Sequence, residues 1–396
     1  MQTPRQIFLQ NIAQTTDHPM AIEIEKAEGI YLYDNTGKDY IDLVSGVSVS
    51  NLGHRHPRVV EAIRDQLDRH MHLLVYGELV QYPQVRFAQL LLDQLPGHFD
   101  NVYFVNSGSE ANEGALKLAK RYTGRTEIIG CRHAYHGSTH GVMSLMGDER
   151  FRNPFRPLLP DVRYIDFNNE EDLQQITQRT ACVMVEPIQA EAGIVQPQDD
   201  YLGKLRQRCN ETGTLLIFDE VQTGFGRTGS LFGMNKYNVY PDVFTIAKAM
   251  GGGMPIGAFV ASKEVMDAFK QAPGLGHITT FGGHPVSAAA AHAALQVLLD
   301  EGLVDKASEK GQRYINGLSH PLIKNIRGTG LFIAVELEDQ TTAEKVMQTF
   351  PKHGLITDLF IFKPNAFRIA PPLTISNEEI DESIRRIIKA LNELGK

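Results

Sequence analysis

The chain has 396 residues, 42% hydrophobic and 22% charged, with 39 Lys plus Arg against 47 Asp plus Glu for a net charge of −8. That length allows two or three domains of roughly 100–200 residues with a sizeable core, and the acidic balance leaves no cationic surplus to neutralise a nucleic-acid backbone. No run approaches the roughly 20 apolar residues that span a bilayer, and the opening MQTPRQIFLQNIAQTTDHP lacks an apolar signal core. The three cysteines, Cys131, Cys182 and Cys209, form no CxxC pair, which argues against a disulfide scaffold or a thiolate zinc site. A soluble cytoplasmic protein, with neither a membrane nor a nucleic acid as partner, is expected.

Near the N-terminus, IEIEKAEGIYLYDNTGKDYIDL reads as hairpin strands with turns at Glu28-Gly29 and Asn35-Thr36-Gly37. From Asn101 onward, short β-branched or aromatic runs alternate with amphipathic stretches: NVYFVN, EIIGC from Glu127, VRYID from Val162, ACVMVE from Ala181, TLLIFDE from Thr214, DVFTIA from Asp242 and IGAFVA from Ile256. This alternation predicts an α/β chain whose mostly parallel sheet is covered on both faces. After the first strand, EANEGALKLAKRY places Ala111, Ala115, Leu118 and Ala119 near one face and Lys117, Lys120 and Arg121 near the other, so a helix follows. Beyond PVSAAAAHAALQVLL come helical stretches, a long strand candidate IRGTGLFIAVEL from Ile326, a shorter one around AFRIAPP and a terminal amphipathic helix from about Asn377. We expect a large domain over 51–300, a smaller α+β domain over 301–396, and an N-terminal segment, 1–50, packing with the smaller one.

Several clusters carry chemistry. Asn106-Ser107-Gly108-Ser109-Glu110 sits where a strand ends and a helix begins, so its amides, hydroxyls and glycine suit a phosphate dianion, with simple helix capping by Ser107 or Ser109 as the alternative. Asp219 and Glu220 end an apolar strand at the sheet edge where α/β proteins bind ligands. Lys248 ends another and precedes three glycines, which let the backbone approach a planar group; a lysine there is costly unless paired or chemically used. Gly224-Phe225-Gly226-Arg227-Thr228-Gly229 matches GxGxxG, but it does not follow its strand directly and SLFGMNKYN does not read as a helix, so no dinucleotide site is expected. His133, His136 and His140, and His54 with His56, lack a neighbouring carboxylate cluster, and no metal is expected. His133, Tyr135 and His136 read instead as ring-packing or hydrogen-bonding residues.

Eight motifs stand in one order along nearly the whole chain: GHRHP from Gly53, FVNSGSEANEGALKLAKRYTGR from Phe104, AYHGST from Ala134, EPIQAEAG from Glu186, LLIFDEVQTGFGRTG from Leu215, IAKAMGGGMPIGA from Ile246, TFGGHP from Thr280 and FRIAPPL from Phe367. Together they resemble the class III aminotransferases, pyridoxal-phosphate enzymes that include acetylornithine, ornithine and 4-aminobutyrate aminotransferases. The resemblance implies a ping-pong enzyme that uses pyridoxal 5′-phosphate to move an amino group from an amino acid or ω-amine donor to a 2-oxo acid. It implies that Lys248 carries the cofactor and moves the substrate proton, and that Asp219 keeps the pyridine nitrogen protonated. Gln222 would contact the ring hydroxyl, Tyr135 and Val221 the two ring faces, and Ser107, Gly108 and Ser109 the phosphate, with His136 and Glu186 close by. Thr280 would reach the phosphate of a neighbouring subunit, so the resemblance implies a homodimer with shared active sites. Arg368 would take a substrate carboxylate, and Glu191 would pair with that arginine and release it.

One departure concerns substrate. Where the named enzymes usually carry HGR, with an arginine for a second carboxylate, this chain has His136-Gly137-Ser138. Arg132, Arg150, Arg152 and Arg156 lie nearby in sequence, and Ser50, Tyr76 and Tyr82 are further candidates for the pocket wall. Other pyridoxal-phosphate reactions on the same scaffold (aminomutase, racemase or decarboxylase) form the alternative. A nucleotide-dependent oxidoreductase would rest on GFGRTG alone.

Overall fold

The structure is a computed structural model that describes residues 2–74, 77–271 and 273–394. The first strands form an antiparallel meander of β1 (Ile24–Glu28), β2 (Tyr31–Asp34) and β3 (Asp39–Asp42), turning at Gly29 and Gly37, both with positive φ. The alternating runs that follow become β4 (Asn101–Val105), β5 (Glu127–Cys131), β6 (Val162–Ile165), β7 (Thr180–Val185), β8 (Leu215–Asp219), β9 (Val243–Ile246) and β10 (Gly257–Ala261). They make one seven-stranded sheet in the order β4-β10-β9-β8-β7-β5-β6. Its pairings are parallel except those of β10, which runs antiparallel to both β4 and β9.

The continuous apolar runs have their reason in this layering. On β8, Leu216 and Phe218 enter one core with Val183, Val185, Phe244 and Ile246, whereas Leu215 and Ile217 enter another with Cys182, Met184 and Phe259. Successive residues point to opposite faces, and both faces are covered, so every position must be apolar. The helix Gly108–Thr123 buries Ala111, Ala115, Leu118 and Ala119 against the second core. All three cysteines are buried and free, and burial pushes the Cys182 and Cys209 thiols up to about 12.

The run IRGTGLFIAVEL is a hairpin rather than one strand. Strands β11 (Ile323–Thr329) and β12 (Phe332–Leu337) pair antiparallel across Gly330, whose φ is 58°. A side chain there would also strike the Arg227–Gly229 backbone at 2.5–2.6 Å. β13 (Leu355–Ile356) runs parallel to β3, so the N-terminal meander and a C-terminal segment share one sheet, and β14 (Ala366–Ile369) pairs with β12. The last helix, Asn377–Leu394, buries Ile380, Ile387 and Leu391.

Because β4, β5, β7, β8 and β9 share a direction, their carboxyl ends lie along one edge of the sheet, where open α/β folds bind ligands. The segments leaving those five ends carry the residues of the candidate site.

Candidate active site

A cavity of about 410 Å³ opens at that edge. The segment after β4 contributes Ser107, Gly108 and Ser109, that after β5 Tyr135 and His136, and that after β7 Glu186. Asp219 is the last residue of β8, Val221 and Gln222 follow it, and Lys248 stands just past β9.

Asp219 is buried at 4% exposure and held by three donors. Its Oδ2 faces Asn112 Nδ2 and His136 Nδ1, each at 2.8 Å, and its Oδ1 accepts from the Val221 amide at 3.0 Å. Asn112 Nδ2 also donates to the His136 carbonyl at 2.8 Å, while its Oδ1 accepts from Thr245 Oγ1 at 2.6 Å. Burial disfavours charge on His136, but the hydrogen bond and charge of Asp219 outweigh it and raise the imidazole above its ordinary value. Glu186 accepts from the Tyr135 amide at 3.0 Å and the Ala190 amide at 2.9 Å. Burial, reinforced by the charge of Asp219, pushes its carboxyl up to about 7. Lys248 adopts the left-handed region at φ 51°, which costs a lysine about 1–2 kcal/mol. Burial pushes its amine down to about 8 against the pull of Glu191, Asp219 and Glu186, so it can give and take a proton near neutrality.

Arg368 and Glu191 adjoin the cavity through Gln222. The guanidinium is 1% exposed; its Nη2 donates to Glu191 Oε1 at 2.8 Å and its Nη1 to Gln222 Oε1 at 2.9 Å, while Gln222 Nε2 donates to Glu191 at 3.0 Å. Burial works against ionisation of Glu191, yet the charge of Arg368 and its hydrogen bonds hold the carboxyl below the usual range.

Other expected residues fall elsewhere. Ser138 is exposed and its Oγ lies 3.1 Å from Tyr135 Oη. Thr280 is exposed and does not line the cavity of its own chain; nor do Ser50 and Tyr82, and Tyr76 lies outside the described residues. Arg132 pairs with Asp166, Arg150 with Asp148, and Arg152 and Arg156 with Glu149, so none is directed to the cavity. Glu220 turns away from the cavity to accept from the Gly233 and Met234 amides at 2.8 and 2.7 Å. That carboxylate nucleates a short helix, Gly233–Tyr237, in a stretch expected to be non-helical. In GFGRTG, Arg227 is buried and donates to Leu331 O at 2.9 Å, Pro371 O at 2.6 Å and Asn51 Oδ1, fastening the loop to three distant segments. His136 bonds Asp219, His54 lies 2.8 Å from Asp42, and His133 packs near Phe362 with ring centroids 5.9 Å apart. Among the described residues no three His, Cys, Asp or Glu side chains converge as metal ligands, and no helix is long and apolar enough to cross a membrane.

The cavity fits a flat heteroaromatic aldehyde bearing a phosphate. A helix N-terminus with two serine hydroxyls suits the phosphate, and a buried carboxylate suits a protonated ring nitrogen. A side chain at Gly108 would stand 3.0 Å from Val221 Cγ1, and one at Gly137 2.0 Å from Ser109 Oγ, so both glycines keep this space clear. A half-buried lysine facing the cavity, a carboxylate for the ring nitrogen and a phosphate cradle on an open α/β sheet define a pyridoxal-phosphate enzyme.

The chain matches the family model "Aminotransferase class-III" over residues 12–391. It is 38% identical to the acetylornithine aminotransferase of Methanopyrus kandleri over 94% of this chain and 95% of that protein. It is 39% identical to the ornithine aminotransferase of Brevibacillus brevis, covering 95% and 94%. The structure of the ornithine aminotransferase from Toxoplasma gondii superposes with a TM-score of 0.91 at 31% identity, covering 100% of this chain and 96% of that one. The chain belongs to the class III aminotransferases. It is an enzyme of pyridoxal-phosphate-dependent transamination, and the comparisons do not favour an aminomutase, racemase or decarboxylase.

Proposed function

We propose that this aminotransferase works on substrates that present one carboxylate, or none, in each half-reaction, with pyruvate-like 2-oxo acids as acceptors. The observation that carries this is that Arg132, Arg150, Arg152 and Arg156, the arginines that could have stood in at Ser138, each pair with a carboxylate outside the cavity. Among the described residues Arg368 adjoins the cofactor space through Gln222, and it takes a substrate carboxylate by exchanging it for Glu191.

Bound pyridoxal phosphate supplies the electron sink for loss of the substrate Cα proton. Lys248 would hold the cofactor, take that proton and deliver it to the cofactor carbon C4′, and its amine at about 8 suits both directions of transfer. Asp219, fixed by Asn112, His136 and the Val221 amide, would keep a proton on the ring nitrogen. Ser107, Gly108 and Ser109 would bind the phosphate, Tyr135 and Val221 would flank the ring, and Gln222 would meet its hydroxyl. Two observations support a homodimer in which Thr280 serves the partner's phosphate. Thr280 is exposed and away from its own cavity, and the large apolar side chains Val80, Tyr82, Leu275 and Ile278 are 61–86% exposed, surface that a second subunit would cover. The reading also places the enzyme in the cytoplasm.

The test is a half-reaction screen of holoenzyme with glutamate, alanine and 2-aminopropane, following the visible absorption of the cofactor. Alanine and 2-aminopropane should convert it, with glutamate slower by about ten- to hundredfold for want of a second charge-assisted pair. Fastest conversion by glutamate would overturn the proposed substrate class.

A further inference from the structure

Arg368 is held on three sides, and the third hold lies outside the cavity. Its Nε donates to Asp358 Oδ1 at 2.9 Å, and the ring of Phe360 lies 4.6 Å from its Cζ. Asp358 is fixed to the same backbone ribbon as the arginine: the Arg368 amide donates to Asp358 O at 3.1 Å, Leu359 bridges Phe367, and Thr357 Oγ1 donates to Arg368 O at 2.5 Å. Glu191 and Gln222 come from other segments, and although Glu191 also accepts from the Ile361 amide at 3.3 Å through Oε2, it is its Oε1 that holds the guanidinium, so release of Oε1 and of Gln222 Oε1 breaks no bond of the Asp358 anchor.

Bidentate capture of a carboxylate needs two parallel N–H groups on one edge of the guanidinium. The Nη1/Nη2 edge is the one occupied by Gln222 and Glu191, and Gln222 lines the cavity. Once those partners move, an arginine with no other hold would rotate and lose the alignment. The charge of Asp358 repels Glu191 and an incoming carboxylate alike, so that term largely cancels in the exchange. The direction imposed by the Nε hydrogen bond does not cancel.

We propose that Asp358 is a positioning residue for substrate recognition, anchoring the Nε of Arg368 so that its Nη1/Nη2 edge can pass from Glu191 and Gln222 to a substrate carboxylate without turning. This rests on the reading that Arg368 takes that carboxylate, and the test separates the two. Single-turnover half-reactions of holoenzyme are run with alanine and with 2-aminopropane, which carries a methyl where alanine has its carboxylate. In Asp358→Ala the alanine to 2-aminopropane ratio of kcat/KM should fall about tenfold, mainly through KM. Asp358→Asn keeps an oxygen acceptor for Nε and should restore the ratio to within about threefold of wild type, whereas a role for the charge would not allow rescue. Calorimetry with propionate, which has a carboxylate and no amine, should show the same order: wild type and Asp358→Asn alike, Asp358→Ala about tenfold weaker. Arg368→Met reports on the underlying reading. An unchanged ratio there would place the carboxylate elsewhere and overturn both claims. A collapsed ratio in Arg368→Met beside a normal one in Asp358→Ala, or an Asp358→Asn as poor as Asp358→Ala, would leave Arg368 in its role and overturn the role of Asp358.

Discussion

Asn112→Leu removes a buried polar hub while keeping a side chain of similar size. Asn112 is 1% exposed, and its amide serves Asp219, the His136 carbonyl and the Thr245 hydroxyl. Losing the bond to the Asp219 carboxylate costs about 1.5–3 kcal/mol, and each of the two stranded neutral groups adds about 1–3 kcal/mol. With relaxation the protein should lose about 3–6 kcal/mol, a large share of a typical 5–15 kcal/mol. Asp219 keeps His136 and the Val221 amide, so it stays in place but with less restraint. Urea unfolding of the apo and holo forms, with titration of pyridoxal phosphate into the apo form, measures both consequences. The holo form should recover part of the loss through ligand binding, and cofactor affinity should drop about tenfold. If the variant unfolds within about 1 kcal/mol of wild type and binds cofactor equally well, the network does not hold Asp219.

Glu186 gives a pH signature. Its carboxyl, raised on burial from 4.5 to about 7, keeps its proton in the native state where the unfolded chain has lost it. Stability should therefore fall as pH rises from about 4.5 to about 7, by about 3 kcal/mol relative to Glu186→Gln, and run parallel to it above; parallel curves throughout would refute this. Gly137→Ala faces a φ of 124° and a clash 2.0 Å from Ser109 Oγ, so it should weaken both cofactor and inorganic phosphate binding at least about tenfold; wild-type affinities by calorimetry would contradict the cradle. Ser138→Arg should raise the glutamate to alanine ratio of kcat/KM about tenfold, and an unchanged ratio would separate this position from substrate charge.

The parts of this enzyme that can be read in sequence are those where one local rule governs. Asp219 and Lys248 announce themselves because each charged residue terminates or closely follows an apolar run, and parallel strands bring such ends to one edge. Asn112 carried a fainter signal. It stands at i, i+3 and i+7 with Ala115 and Ala119 on a face otherwise apolar, so a polar partner had to exist, but Asp219 and Thr245 lie more than a hundred positions away. Asp358 gave none, since TDLFIF has no motif and its role depends on a bridge between Leu359 and Phe367. The strand read through IRGTGLFIAVEL hid a turn because β-branched and aromatic residues flank Gly330 on both sides. The Gly233–Tyr237 helix depends on Glu220, and neither residue spacing nor propensity reveals so remote a cap. Thr280 stands exposed in a single chain, and its assignment needs a second one.

The central claim is that the amine of Lys248, which lines the cavity with Asp219 and Glu186, carries the cofactor. Borohydride reduction of the holoenzyme followed by peptide mass spectrometry tests it directly. The account predicts a phosphopyridoxyl label on the peptide containing Lys248 and its absence in Lys248→Met. A label on a different lysine, or none in an enzyme that still transaminates, would contradict it.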